Sequence, residues 1–398
     1  MKIGLFTDCY YPQVNGVVTS VMLLKDALTE LGHEVFIVTV SVPDYDTSLE
    51  KNIIRIPSIP FAKWKEFRVG VPTFFHRSFR QVRALNLDVI HTHTEFSLGL
   101  LGRFFAKYLH LPLVHTYHTM YEDYTHYVLS IGQPVVKALM KKGSKFYVQG
   151  YDLVIVPSKK TKNALRSYGV TNEIAILPTG INVNQFDRLP KTSPIVQNLA
   201  QRYGYTEKNK ILLSLGRVSQ EKSIDFLIEA MPELLAESPE LRLLIVGDGP
   251  YRPELEKLTQ ALSLESAICF AGRIPFCDVS QYYSLADFFV NASKTETQGL
   301  TIFEAMATSL PVIVYDDENV ADVVVAQKSG YLFTDRESYV KAVRTALSSP
   351  EQTQSLAETG KAIVDSLSKE AFGQHMADLY QRLIRQKQEA AHKPSFFA

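Results

Sequence analysis

The feature that most constrains this chain is a repeated alternation of a short apolar run with a stretch of helical spacing. Residues 2–7 (KIGLFT) read as a strand and Asn15-Gly16 as the turn before a helix. Val21, Leu24, Leu28 and Leu31 then recur at helical spacing until Gly32 supplies a stop. HEVFIVTV follows as a second strand, and a strand, helix and strand within about forty residues predict a βαβ unit and a parallel sheet. Further strands are expected at 87–93, 111–118, 152–158 and 173–180. A second series opens with KILLSLGRV at 210–218, a helix from 224 to about 236 and LRLLIVGDGP at 241–250. A helix at 254–262, AICFAG, the run at 287–311, PVIVYD at 311–316 and helices over 336–387 complete it. Residues 187–201 hold prolines and polar residues without a period and are expected as a linker.

These spacings define an α/β chain of two doubly wound, Rossmann-like domains, 1–190 and 205–375. Residues 376–398 are expected as a C-terminal helix and polar tail that pack back on the first domain. The length of 398 residues agrees, being too great for one ordinary core. Two such domains usually hold a ligand in the cleft between them, at the C-terminal ends of their strands.

The formal net charge is zero but unevenly spread: residues 1–190 hold 21 Lys and Arg against 15 Asp and Glu. That argues against general nucleic-acid affinity and points to one face that meets something anionic. Cys9, Cys269 and Cys277 are three, far apart and without a CxxC, which fits a reducing cytoplasm rather than a disulfide framework. The start of the chain carries no signal-peptide pattern, and no uncharged run is long enough to span a bilayer. Any membrane contact is expected to be peripheral.

The chemistry concentrates in DFFVNASKTETQGLTIFEAMATSLP, residues 287–311. An apolar strand runs into a polar loop, and a helix opens near Gly299-Leu300 and stops before Pro311. A helix N-terminus presents unpaired N–H groups and a positive dipole end, which suit a phosphate. Glu304, one turn into the helix, can accept from the two neighbouring hydroxyls of a ribose, and Glu296 can reach what hangs beyond the phosphates. Arg217 and Lys222, in the GRVSQEK that follows the first strand of the second domain, supply cations for a diphosphate without a metal. No metal site is expected. Gly16 lets backbone approach a phosphate, or simply serves a strand–helix turn. His91, His93, His115, His118 and His126 crowd one region, where structural donors are the commoner use. Asp8 ends the first strand, where a carboxylate can face an acceptor.

The run Glu296-Thr-Gln-Gly-Leu-Thr-Ile-Phe-Glu304 resembles the E-x7-E signature of retaining, nucleotide-sugar-dependent glycosyltransferases of the GT-B fold. That resemblance implies a diphosphate clamp at Arg217 and Lys222, a nucleobase pocket at Arg273 and Ile274, and a distal-phosphate contact at Gly16. It also implies that His118 hydrogen-bonds the donor sugar, and that reaction occurs on one face with the leaving phosphate taking the acceptor's proton. LFTDCYYPQVNGVVTSVMLLKDALTELGHEVFIVT, DVIHTHTEFSLGLLG, HTYHTMYEDYTHYV and ASKTETQGLTIFEA are more specifically similar to the bacterial diacylglycerol glucosyltransferases that make monoglucosyldiacylglycerol. The implied donor is UDP-glucose, with no further cofactor, and the implied acceptor is the 3-hydroxyl of 1,2-diacylglycerol.

PFAKWKEFRVGVPTFFHRSFRQVRAL, residues 60–85, interleaves aromatic and cationic side chains and suits an anionic leaflet at the inner face of the cell membrane. Phe61, Lys63, Trp64, Lys65, Arg68, Arg77, Arg80 and Arg83 are the residues expected to meet it, helped by the lysines of 135–146. A core helix with a solvated basic face is the alternative there. For the whole chain the rivals are a same-fold transferase acting on a glucosylated lipid or a soluble acceptor, a UDP-sugar epimerase, and a non-catalytic binding protein.

Overall fold

The computed structural model describes residues 1–13, 15–48, 50–61, 64–71, 77–119, 133–296, 298–318, 320 and 323–392. Lys63 and His126 lie outside these, as do the side chains of Trp64 and Lys65. The chain divides into two compact units, residues 1–180 with 369–398, and residues 181–368. The expected linker at 187–201 belongs to the second unit. Its helix, Pro194–Arg202, has proline in its first turn and buries Val196 and Leu199 in that unit's core. Apolar residues spaced three apart gave the segment a face to bury, which its prolines obscured.

In the first unit the strands are β1 (Lys2–Phe6), β2 (Glu34–Val40), β3 (Ile53–Ile56), β4 (Ser58–Phe61), β5 (Trp64–Gly70), β6 (Val89–Thr92), β7 (Leu113–Thr116), β8 (Leu153–Val156) and β9 (Ile174–Ile176). Seven of them form a parallel sheet in the order β3-β2-β1-β6-β7-β8-β9. β4 and β5 pair separately and antiparallel. The central strands are buried end to end, as sheets covered on both faces require. One apolar cluster covers each face of the sheet. The helix Gly16–Glu30 is capped by Asn15, whose side chain accepts from Val18 N at 3.0 Å.

The helix Lys369–His392 packs on this first unit, so the unit begins its last segment earlier than the expected residue 376. Gly373 makes that approach possible, because a Cβ there would stand 2.6 Å from that of Ala27. Tyr380 on the same helix is fully buried and hydrogen-bonds His91 Nδ1 at 2.6 Å.

The second unit holds β10 (Lys210–Leu215), β11 (Leu241–Val246), β12 (Ile268–Gly272), β13 (Phe288–Asn291), β14 (Val312–Tyr315) and β15 (Tyr331–Phe333). Their order is β12-β11-β10-β13-β14-β15, all parallel. At the C-terminal ends of β10, β11 and β12 the chain is held by close backbone contacts. Gly247 N donates to Gly272 O at 2.9 Å, and Val218 N to Asp248 O at 3.1 Å. Gly247 has φ +128°, and a Cβ on it would fall 1.8 Å from Gly216 O. The glycines of VGDGP therefore serve to brace the strand ends. Gly247→Ala is expected to cost about 2 kcal/mol or more. Gly143→Ala, in an exposed helix with nothing within 4 Å, is expected to gain up to about 1 kcal/mol. Denaturant melts of both variants check the pair.

Candidate active site

The order of the second sheet reverses between β10 and β13, the kind of point where open α/β sheets hold ligands. The loops leaving these two strands carry the candidate groups. Lys222 Nζ lies 2.7 Å from Glu296 Oε1, and Asn291 Nδ2 lies 3.4 Å from the same oxygen. Glu296 is only 8% exposed. Burial acts most strongly on its carboxyl and pushes the pKa up. The Lys222 ammonium and hydrogen bonds from Lys222, Asn291 and Ser293 outweigh it, leaving the carboxyl below its ordinary range. The anion is thus fixed by its partner. Arg217, at the start of the same loop, is exposed and makes no ion pair among the described residues.

The helix Leu300–Ala307 starts from Gly299, whose φ of +78° suits glycine, and no side chain caps it. Ile302 N turns back to Gly299 O at 2.9 Å, and a Cβ on Gly299 would lie 3.8 Å from Glu296 Cγ. The uncapped helix start and the Lys222–Glu296 pair are therefore neighbours. Glu304 is 7% exposed, and its Oε2 is 2.8 Å from the hydroxyl of Tyr283. Burial, opposed by that hydroxyl, pushes the Glu304 carboxyl up to about 7. Tyr283 is a contributor that sequence reasoning missed; its letters read as a core aromatic. Beyond β12, Arg273 is exposed and Ile274 is partly buried against the core.

The remaining candidates belong to the first unit. Asp8 is 5% exposed and accepts from Thr94 Oγ1 at 2.6 Å, from Ser97 Oγ, and from Leu98 N at 3.1 Å. It seats the N-terminus of the helix Ser97–Tyr108. Gly16 is exposed at a helix start. His118 is half-buried, with Nε2 3.1 Å from His93 Nδ1. His91 lies tilted against His93 with ring centroids 4.1 Å apart and bonds Tyr380 and Thr116, while His115 bonds Thr92 and Glu95. Burial, helped by His115, pushes His118 down to about 3, so its ring is neutral.

Of the basic aromatic segment, Phe61, Arg77, Arg80 and Arg83 are exposed. Arg68 is tied down instead, donating to Ser41 O, Ser58 Oγ and Ser58 O. A stripe that sequence reasoning missed lies on the adjoining helix Ser97–Tyr108 and the residue before it. Phe96, Leu100, Phe104 and Tyr108 are 57%, 55%, 39% and 50% exposed. Their spacing of four was the available signal. Phe79 meets Phe104 in a tilted ring contact at 6.0 Å and Arg83 lies over Tyr108 at 6.0 Å, which sets the arginine-bearing helix Arg77–Ala84 beside the stripe.

Two family models match the chain, Glycosyltransferase Family 4 over residues 14–185 and Glycosyl transferases group 1 over residues 196–363. The chain belongs to the glycosyltransferases of the GT-B fold and is a transferase enzyme. It is 38% identical to the alpha-monoglucosyldiacylglycerol synthase of Acholeplasma laidlawii, over 99% of this chain and 100% of that one. It is 37% identical to the enzyme of the same name from Streptococcus pneumoniae, over 96% of this chain and 85% of that one. Among solved structures, sucrose-phosphate synthase from Thermosynechococcus elongatus superposes with a TM-score of 0.78 at 23% identity, covering 97% of this chain and 99% of that one. Anabaena HepE in complex with UDP gives 0.76 at 18%, covering 96% and 100%. These two likenesses bear on the fold.

The Glu296 pair has a pH signature. A carboxyl held below its unfolded value of about 4.5 contributes stability that is fully present above that pH and lost as pH falls through the folded value. Lys222→Met is expected to cost about 2 kcal/mol near neutrality, from a partly buried pair left with one partner. That deficit should shrink below about pH 4.5. Urea melts of both proteins across the acid range check it.

Proposed function

We propose that this chain moves glucose from UDP-glucose to the 3-hydroxyl of 1,2-diacylglycerol with retention, giving monoglucosyldiacylglycerol. The observation that carries the reading is the 2.7 Å Lys222–Glu296 contact set against the uncapped start of the helix at Gly299. A preformed cation beside a helix start that no side chain caps, at one sheet reversal, suits the diphosphate of a sugar nucleotide. The names of the two relatives over 35% identical support the glucosyl group and the lipid acceptor.

In this reading Arg217, Lys222 and the Gly299 and Leu300 amides hold the diphosphate, and Gly16 approaches its distal phosphate. Glu304 accepts from the ribose, and Arg273 and Ile274 line the base. His118, neutral, hydrogen-bonds the sugar, and Glu296 keeps the Lys222 ammonium aimed while contacting the hexose. Asp8 serves by seating the helix Ser97–Tyr108. The bond from the sugar's anomeric carbon to the UDP oxygen breaks as the bond to the acceptor oxygen forms on the same face. The acceptor's proton passes to the departing phosphate. The chain's contribution is to stabilise the charge that grows on UDP, which needs preorganised cations rather than a resident metal.

The acceptor lies in a membrane, and no helix among the described residues is long and apolar enough to cross one. We assign attachment to the inner leaflet to Phe61, Lys63, Trp64, Lys65, Arg77, Arg80 and Arg83, with Arg68 bracing the segment, extended by the stripe of Phe96, Leu100, Phe104 and Tyr108. Apolar side chains beside arginines fit the boundary between acyl chains and anionic headgroups.

The direct test offers several UDP-sugars with and without diacylglycerol in mixed micelles and identifies the product. Monoglucosyldiacylglycerol formed from UDP-glucose alone supports the reading. Conversion of the UDP-sugar without any acceptor points to an epimerase, and transfer only to glucosylated lipid or a soluble sugar replaces the acceptor. Lys222→Ala is expected to lower turnover about 100-fold or more with the fold intact. Leu100→Asp with Phe104→Asp is expected to weaken binding to phosphatidylglycerol vesicles about tenfold or more while activity on detergent-dispersed lipid persists. Unchanged sedimentation with vesicles would remove the stripe from the account.

A further inference from the structure

Tyr283 carries one hydroxyl hydrogen and stands within hydrogen-bonding distance of two acceptors. Its oxygen lies 2.8 Å from Glu304 Oε2 and 3.1 Å from the carbonyl oxygen of Thr301. Tyr283 is fully buried and Glu304 nearly so. If Glu304 were an anion, the single hydrogen could fill one contact, and lone pairs would face each other across the other without water to relieve them. If Glu304 carries a proton, both contacts become hydrogen bonds. The carboxyl O–H donates to the phenol oxygen, and the phenol O–H donates to the Thr301 carbonyl.

The electrostatic surroundings agree with the geometry. Among the described residues no cation is paired with Glu304, in contrast to Glu296 eight positions earlier. Tyr283, on the helix Val279–Leu285, is the one titratable group that acts on it. Burial has raised the carboxyl to about 7, while the phenol's own titration is driven far upward. The second unit, residues 181–368, contains no histidine, so within that unit no imidazole competes with Glu304 as a proton donor.

We propose that the free protein holds Glu304 as the carboxylic acid, with Tyr283 as the positioning residue that relays the hydrogen to Thr301, and that uptake of the nucleotide sugar expels the carboxyl proton. The proposal rests on the reading of Glu304 as acceptor for the ribose. Two hydroxyl donors are best met by a group that only accepts, and that is the carboxylate. When the ribose hydroxyls arrive, the proton leaves to solvent and Tyr283 turns its hydrogen from Thr301 to Oε2. Binding of the donor is thereby coupled to pH through one carboxyl.

Calorimetric titration of the full chain with UDP-glucose tests this, because that diphosphate diester does not itself titrate near neutrality. Runs in two buffers of different ionisation enthalpy count the protons released. More than half a proton per donor is expected at about pH 6 and almost none at about pH 8.5, with affinity falling toward tenfold per pH unit below about pH 7. Glu304→Gln is expected to bind more weakly, with no pH-linked release. Tyr283→Phe, which removes the donor to the carboxylate, is expected to move the midpoint upward. A wild-type protein that releases no proton at about pH 6 overturns the proposal; if Glu304→Gln is still weakened, the ribose reading survives. Unchanged affinity in Glu304→Gln removes the ribose reading and the proposal together.

Discussion

The candidate site of the second unit is built on a partly buried ion pair at the point where its sheet reverses. Carrying Glu296 and the end of Lys222 out of water is costly, and their attraction recovers that cost only because Asn291 and Ser293 also bond the carboxylate. A chain selected for stability alone would do as well with two well-packed apolar residues there. Retaining the pair makes sense where a charged partner is due to arrive. The neighbouring helix start, left without a cap at Gly299, says the same thing in a different chemistry.

Two carboxylates eight residues apart are pushed in opposite directions. Glu296 is held ionised by an ammonium, while Glu304, sunk among apolar side chains with one phenol beside it, is pushed up to about 7. Divergence of this kind marks groups with different duties. In the first unit the same principle works on imidazoles. His91 lies tilted against His93 and His93 stacks on His118, and burial keeps all three neutral. Under the proposed reading, a neutral His118 would donate or accept a hydrogen bond without bringing a charge.

Much of the architecture was legible because parallel strands buried on both faces have to be apolar throughout. LVIV and LLIV stand out from their flanks for that reason. The GT-B assignment rested on motif spacing and holds. Less legible were elements whose pattern is weak or mixed: IIRI on the sheet edge, the β4–β5 pair inside a segment that reads as one basic aromatic stretch, and the helix Pro194–Arg202 hidden by its prolines. Among the candidate residues, Glu296 and Lys222 could be singled out because charge in a strand-end loop has few structural excuses, and Glu304 because of its spacing from Glu296. Tyr283 could not, since a buried tyrosine reads as core until its hydroxyl is seen between two oxygens. Asp8 shows what sequence alone does not separate, because a carboxylate at a strand end looks the same on paper whether it meets a substrate, caps a helix or does both.

The central claim is that one nucleotide sugar is held by the two loops that flank the sheet reversal. Amide hydrogen exchange of the full chain, with and without saturating UDP, addresses it without requiring turnover. The account predicts slowed exchange across residues 216–222 and 296–304, the segments whose amides and side chains face the diphosphate. Protection confined to other segments, or none at saturation, would contradict it.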